Sequence, residues 1–208
     1  MYPADLENLI ESLQFFPGIG RKTAERMAFS VMNMSDERVE LLSSSIENVK
    51  KNIHLCSICN SFTDSEICNI CSNELRDNTI LCVVEDPRSV FLFESLGLFK
   101  GKYHVLKGLI SPAMGINPED IELEKLVDRV REVQPKEIIL AFRPSIEGET
   151  TALYIKRILG DLDIKISKIA SGVPIGADME YIDAMTLERA LRAVSYTHLR
   201  AHETRGNL

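Results

Sequence analysis

Residues 56–71 read CSICNSFTDSEICNIC, and this short polar stretch separates two regions of the chain with different hydrophobic patterns. It contains four of the five cysteines, as the pairs Cys56/Cys59 and Cys68/Cys71 with eight residues between them. The stretch has no apolar repeat long enough to form a core, so its folding needs another source of stability. Two Cys-x2-Cys turns that face each other supply the tetrahedral sulfur ligands that zinc prefers. The spacing therefore predicts one Zn²⁺ per chain.

The same cysteines are compatible with two other arrangements. Two disulfides are disfavoured in the reducing cytosol, where we expect this protein to be. A single iron with four sulfur ligands stays open at this stage. For zinc, a structural role is favoured over a catalytic one, because four protein ligands leave no open position for water. Cys82 lies in the apolar run ILCVV and is predicted to be a buried side chain.

Upstream of the cysteines, apolar residues recur every three or four positions and predict three helices. The first helix covers 3–14, the second carries Ala24 and Ala28 on its apolar stripe, and the third covers about 35–53. We therefore expect residues 1–54 to form a small all-helical unit.

The turn between the first two helices contains the second motif. Gly18 and Gly20 allow the backbone to approach a ligand closely, and the following helix directs its free N–H groups outward. Lys22 and Arg26 are four residues apart and so share a helix face. This is the pattern of a helix-hairpin-helix, which binds the DNA phosphate backbone without reading bases, and Arg21 is a third candidate contact. The alternative is an ordinary glycine turn with solvated charges.

Downstream of the cysteines, strands and helices alternate, which indicates a parallel sheet with crossover helices. The predicted strands cover 79–84, 103–107, 137–142 and 163–169. The predicted helices cover 90–96, a segment around 123–130, and 150–159. A final strand is predicted near 179–182 and a final helix near 187–192.

Acidic residues follow two of these strands. Glu85 and Asp86 come directly after the first strand, while Glu147 and Glu149 follow Arg143 after the third. Open parallel sheets bind ligands at the carboxyl ends of their strands, so grouped acids there could hold Mg²⁺ for phosphoryl chemistry. Against this, Glu147 and Glu149 are also natural helix-start residues. The third strand ends in an arginine and not in a carboxylate.

These motifs in this order resemble the RecR family of bacterial recombination mediators. The resemblance covers residues 1–193 and is carried by PGIGRKTAERMAF (17–29), CNICS (68–72), VVEDP (83–87), IEGETTA (146–152) and GVPIG (172–176). It implies a multi-part α+β fold: a helix-hairpin-helix bundle (1–54), a four-cysteine zinc finger (55–78), a Toprim-type parallel-sheet domain (79–174) and a Walker-B-like C-terminal strand and helix (175–194). Residues 195–208 do not resemble this family and are predicted to be a foreign or disordered tail.

The resemblance also implies a function. Members of the family are not known as enzymes; they form a tetrameric ring or clamp and act with RecO, in some settings with RecF, to load RecA on single-stranded DNA. Lys22 and Arg26 match the family's DNA-contacting cations, and Glu85 and Glu147 match acids of the surface where RecO is thought to dock. A Mg²⁺-dependent Toprim nuclease or primase-like enzyme is the alternative, and a pure protein-interaction scaffold is a third. The chain departs from the family pattern at Arg143 and at Ala177.

Composition constrains how DNA could be bound. The 208 residues carry 24 Lys and Arg against 31 Asp and Glu, a net charge of −7, so the surface as a whole is not basic. An acidic subunit can still bind single-stranded, double-stranded or gapped DNA if several copies turn a small basic face toward one central hole. No apolar run reaches the about 20 residues of a membrane helix, and no signal peptide is evident. We therefore expect a soluble cytoplasmic homo-oligomer.

Overall fold

A computed structural model of the chain describes residues 2–170, 172–174 and 176–192. The chain divides into two compact units between His54 and Leu55. Within the described residues, no helix combines the length and the apolar character needed to span a bilayer.

The N-terminal unit contains three helices: α1 (Ala4–Leu13), α2 (Arg21–Met32) and α3 (Asp36–Asn52). Its core is the contact between α1 and α2, where Ile10 packs against Ala24 and Ala28, all three fully buried. The two alanines leave room for the helices to approach closely and hold the turn between them in a fixed geometry.

Helix α3 is amphipathic but buries none of its residues. Its apolar stripe, which includes Leu42, Ile46 and Val49, is exposed on the surface. An exposed apolar stripe is typical of a helix face that contacts a partner.

The cysteine region comes next: β1 (His54–Leu55), which spans the boundary, and β2 (Phe62–Thr63) form a two-stranded sheet followed by the short helix α4 (Asn69–Ser72). The α/β region then consists of β3 (Asp77–Val84), α5 (Pro87–Leu96), β4 (Gly101–Val105), α6 (Leu123–Val133), β5 (Glu137–Ala141), α7 (Ile146–Ile158) and β6 (Lys165–Lys168). The four strands are parallel in the order β4-β3-β5-β6, which confirms the predicted parallel sheet. Their carboxyl ends share one edge.

Strand β3 lies at the centre of the core and is buried on both faces. Leu81 and Val83 pack on the side of α6 and α7, whereas Cys82 and Val84 pack with Tyr103 on the other side. This two-sided burial is the reason for the uninterrupted apolar run in the sequence. Burial raises the pKa of the Cys82 thiol to about 12, as expected for a side chain that serves only packing.

The strand predicted near 179–182 is wrong. Met179–Tyr181 form a 3₁₀ turn, and helix α8 (Ala184–Arg192) follows. The turn forms because the Asp178 carboxylate accepts the Glu180 N–H at 3.3 Å, a local hydrogen bond that competes with extended backbone. The predicted tail, 195–208, lies outside the described residues.

Candidate metal centre and nucleic-acid interface

The four cysteines of the two pairs come together in one cluster. Their sulfur atoms all lie within 4.8 Å of one another, and Cys56, Cys59 and Cys68 are buried while Cys71 is half-buried. The Sγ atoms of Cys59 and Cys68 are 3.6 Å apart. That separation is too long for a disulfide of about 2 Å but suits one edge of a tetrahedron around a zinc ion with Zn–S bonds of about 2.3 Å. The donor set therefore fits a closed structural zinc site.

The local backbone shapes each pair into a tight turn. Asn60 adopts a left-handed conformation with φ of 60°, which lets its N–H donate to the Cys56 carbonyl at 3.0 Å. Backbone N–H groups point at sulfur in the second turn: Cys68 N–H donates to Cys56 Sγ at 3.3 Å and Cys71 N–H to Cys68 Sγ at 3.5 Å. Hydrogen bonds from the neighbouring Cys59 and Cys71 lower the pKa of the Cys68 thiol, which favours the thiolate that a metal requires.

The cysteine region is fastened to strand β4. Val105 N–H donates to the Cys59 carbonyl at 2.8 Å, and the Asn60 side-chain amide returns a bond to the Val105 carbonyl at 3.2 Å. Lys102 of β4 donates from its Nζ to three carbonyl oxygens at the end of the second turn, at 2.8 to 2.9 Å. Arg129 of α6 brings its guanidinium to 4.0 Å from Cys71 Sγ. The sequence reasoning missed both cations, although a lysine beside Tyr103 in an otherwise buried strand was a usable signal.

The glycine turn between α1 and α2 leaves polar backbone open at the start of α2. Gly18 has a φ of 82°, which favours glycine, and Gly20 is the N-cap residue without a side chain to bond the helix. Thr23 and the next residue both donate to the Gly20 carbonyl. Among the described residues, no acceptor is found for the backbone N–H groups of Gly20, Arg21 and Lys22. Free N–H groups at a helix N-terminus form a ready anion site.

The three predicted cations of this turn are in different situations. Lys22 and Arg26 are exposed, and no carboxylate of the described residues lies within ion-pair distance of either. Arg21 instead pairs with Glu7 of α1 at 2.7 Å and with Glu25 at 3.1 Å. The structure thus offers two free cations and one that joins α1 to α2.

The strand-end acids of β3 lie in a mixed-charge cavity of about 650 Å³, together with Arg143 from the end of β5. The Arg143 Nε is 3.6 Å from Glu85 Oε2, and that oxygen is buried without a hydrogen bond. Burial raises the pKa of Glu85 despite the nearby guanidinium. Asp86 is the N-cap of α5: its carboxylate accepts the Arg88 N–H at 2.8 Å and pairs with the Arg88 side chain, which lowers its pKa.

The two acids after β5 lie at the start of α7 and do not line that cavity. Hydrogen bonds from its own backbone N–H and from the Ser145 hydroxyl lower the pKa of Glu147. Glu149 pairs with Lys168 of β6 at 2.6 Å. The described residues gather no group of three or more His, Cys, Asp or Glu ligands other than the four cysteines.

Comparison with models of known protein families gives four matches in chain order. The RecR helix-hairpin-helix model matches residues 6–50, the RecR four-cysteine zinc finger model 53–73, the Toprim domain model 79–170 and the RecR C-terminal model 172–193. The chain belongs to the RecR family. RecR membership gives it a role in recombinational DNA repair, and its hairpin and finger indicate nucleic-acid binding.

The zinc prediction is confirmed in this RecR chain, because the matched zinc finger contains all four clustered cysteines and is suited to one zinc ion. The multi-part α+β fold is confirmed as well. The roles of Lys22 and Arg26 on DNA, and of the strand-end acids toward a partner, stay predictions.

Proposed function

We propose that this chain is a non-catalytic DNA clamp of recombinational repair that acts with RecO, and in some settings RecF, to load RecA on single-stranded DNA. The observation that carries the proposal is the hairpin at Gly18–Gly20. Among the described residues, three backbone N–H groups at the start of α2 have no acceptor, and the exposed side chains of Lys22 and Arg26 on the first two turns of α2 have no carboxylate within ion-pair distance. Such a group binds phosphate without reading sequence, which suits a protein that must act at any gap or break.

The clamp requires several copies of the chain, and helix α3 supplies a surface for their association. Its exposed apolar stripe lies in the same unit as the hairpin, so pairing α3 with α3 of a second copy brings two hairpins into one assembly. Self-pairing of this kind is the usual way in which a homo-oligomer covers an apolar face. Assembly also explains how an acidic chain can bind DNA. Although each chain has a net charge of −7, several copies can direct their small basic faces to one DNA molecule.

The strand-end edge supports partner docking in preference to chemistry. Arg143 brings its Nε to 3.6 Å from Glu85 Oε2, so a cation already lies beside this carboxylate, and Asp86 is held as a helix cap. We propose that Glu85, Asp86, Glu147 and Glu149 form a charged surface for RecO. The enzyme alternative would be established by Mg²⁺-dependent DNA cleavage or nucleotide incorporation that Glu85→Gln abolishes.

Retention on closed DNA tests the clamp. The protein is loaded on a gapped circular plasmid and on the same plasmid cut once, and bound protein is measured after the salt is raised. A clamp stays on the circle and leaves the cut molecule through its ends, and its mass in solution is a multiple of the chain mass. Lys22→Ala with Arg26→Ala should abolish loading, whereas Lys50→Ala with Lys51→Ala removes the same charge from the end of α3 and should not. A monomeric mass with equal loss from both plasmids would refute the proposal.

A further inference from the structure

We infer that Lys102 and Arg129 are the counter-charges of the zinc centre and that their positive charge sets the affinity of the four cysteines for their metal. The inference rests on the zinc site and not on the proposed DNA clamp. It concerns two side chains outside the finger, one on β4 and one on α6, that no cysteine spacing could reveal.

Both cations are buried without a carboxylate. Lys102 and Arg129 are each only 8% exposed, and no described Asp or Glu lies within ion-pair distance of either. Lysine and arginine are almost never buried to this extent unless an opposite charge accompanies them, since an unpaired buried ion costs several kcal/mol. Two such ions that line one cavity require negative charge close at hand.

The hydrogen bonds of the two side chains do not provide that charge. Lys102 satisfies its three donors on three neutral carbonyl oxygens, those of Ile70, Cys71 and Asn73. Arg129 donates from Nη1 to the Tyr103 carbonyl, and its Nε has no partner. These contacts satisfy the Lys102 donors and part of the Arg129 guanidinium, but they leave two positive charges uncompensated.

The metal-loaded cluster has the missing charge. Four thiolates around a divalent ion leave a net charge of two negative units, whereas four protonated thiols are neutral. Both cations touch the second cysteine pair: Lys102 through the Cys71 carbonyl at 2.9 Å and Arg129 through Cys71 Sγ at 4.0 Å. Two positive charges thus lie beside a centre whose net charge with zinc bound, two negative units, equals their own in size. They favour the loaded state over the empty one.

Two acids are the competing source of charge. Glu74 and Glu132 line the same cavity of about 480 Å³ as Lys102 and Arg129. Both acids are exposed to solvent, and neither forms an ion pair with the two cations. Water screens exposed carboxylates, so they compensate a buried cation poorly.

Zinc affinity is the first measurement, made on the full chain by competition with a chromophoric chelator. Replacing a group that supports a metal ligand typically weakens binding by about 10- to 100-fold, and we expect this for Lys102→Met and for Arg129→Gln. Lys102→Arg keeps the charge and should restore most of the affinity. Lys100→Met and Arg131→Gln remove neighbouring exposed cations and should change it less than about twofold.

The second measurement separates charge from folding. With iron in place of zinc, the oxidised site of Fe(III) and four thiolates carries one negative charge and the reduced Fe(II) site carries two. The reduction potential therefore measures how well the surroundings stabilise the extra negative charge, and it is measured with the metal bound. Removing a nearby cation disfavours the more negative, reduced form, so Lys102→Met and Arg129→Gln should each shift the potential to more negative values. The controls Lys100→Met and Arg131→Gln should leave it unchanged.

Three results would overturn the inference. A potential that does not move in either variant would show that Lys102 and Arg129 only support the backbone. The same shift in the controls would show a general effect of net charge. An equal loss of zinc affinity in Glu74→Gln with Glu132→Gln would identify those acids as the partners of the two cations.

Discussion

The salt dependence of DNA binding should separate the three cations of the hairpin, because the structure treats them differently. Lys22 and Arg26 are exposed and have no ion-pair partner in the described part of the chain, whereas Arg21 pairs with two glutamates. On the proposed function, Lys22→Gln and Arg26→Gln each remove a phosphate contact. Arg21→Gln removes an internal ion pair and leaves the number of phosphate contacts unchanged.

The size of the effect follows from counterion release. Each contact to single-stranded DNA contributes about 0.7 to the slope of log K against log salt, so the double variant loses about 1.4 per chain. At 1 M salt the counterion contribution vanishes, so the variant and the wild type should bind equally there. At 0.1 M salt the smaller slope makes the affinity of the double variant about 25-fold lower, or about 1.9 kcal/mol. Arg21→Gln should change the slope by less than about 0.3, which is half the contribution of one phosphate contact.

Fluorescence anisotropy with a labelled oligonucleotide, titrated at several salt concentrations, gives the slopes directly. The thermal unfolding of each variant shows whether loss of the Arg21 pairs has loosened α1 against α2, which would reduce binding without changing the slope. If Arg21→Gln lowers the slope as much as Lys22→Gln does, the division into free and held cations is wrong. If no variant changes it, the DNA site lies elsewhere.

Three further results are expected. Gly148→Ala places a Cβ 2.3 Å from a backbone oxygen, so it should lower the free energy of unfolding by about 2 kcal/mol and the melting temperature by about 4–8 °C. The control is Gly172→Ala, whose Cβ meets nothing within 4 Å and should leave the melting temperature unchanged. Chelation of zinc should unfold residues 56–71 first. Amide hydrogen exchange should then speed up more at Val105, whose N–H donates to the Cys59 carbonyl of the finger, than at Leu106, whose N–H donates to Val84 of the sheet. Equal protection from exchange with and without chelator would contradict this. Leu42→Glu on α3 should reduce the mass in solution, as light scattering would show, and an unchanged mass would place the subunit interface elsewhere.

Local pattern was sufficient for most of the fold. The helices of the N-terminal unit, the buried β3 and the cysteine cluster each leave a signal within a few residues. The start of α7 at Ile146 was missed because its apolar stripe begins a turn later, although Ser145 caps the helix by accepting the Gly148 N–H at 3.1 Å. Pattern also shows that α3 is amphipathic but not what covers it, since a periodicity describes one helix and not its partner.

The site could be predicted only where its contacts are local. The Arg21–Glu25 pair is visible in the sequence as a spacing of four residues, but the pair with Glu7 requires the contact of α1 with α2. Lys102 and Arg129 lie 31 and 58 residues from Cys71, and only the tertiary fold brings them to it. Long-range charge compensation of this kind leaves no motif.

On the proposed function, the acids at the sheet edge serve a partner and not a reaction. Two carboxylates can hold a divalent ion only if both are free to turn toward it. Here Glu85 faces Arg143, Asp86 caps a helix, Glu147 accepts hydrogen bonds at a helix start, and Glu149 pairs with a lysine of β6. A divalent ion that enters beside Glu85 would meet the positive charge of Arg143. The same charges remain available at the surface to a partner that brings its own cations, which supports the docking proposed for this edge.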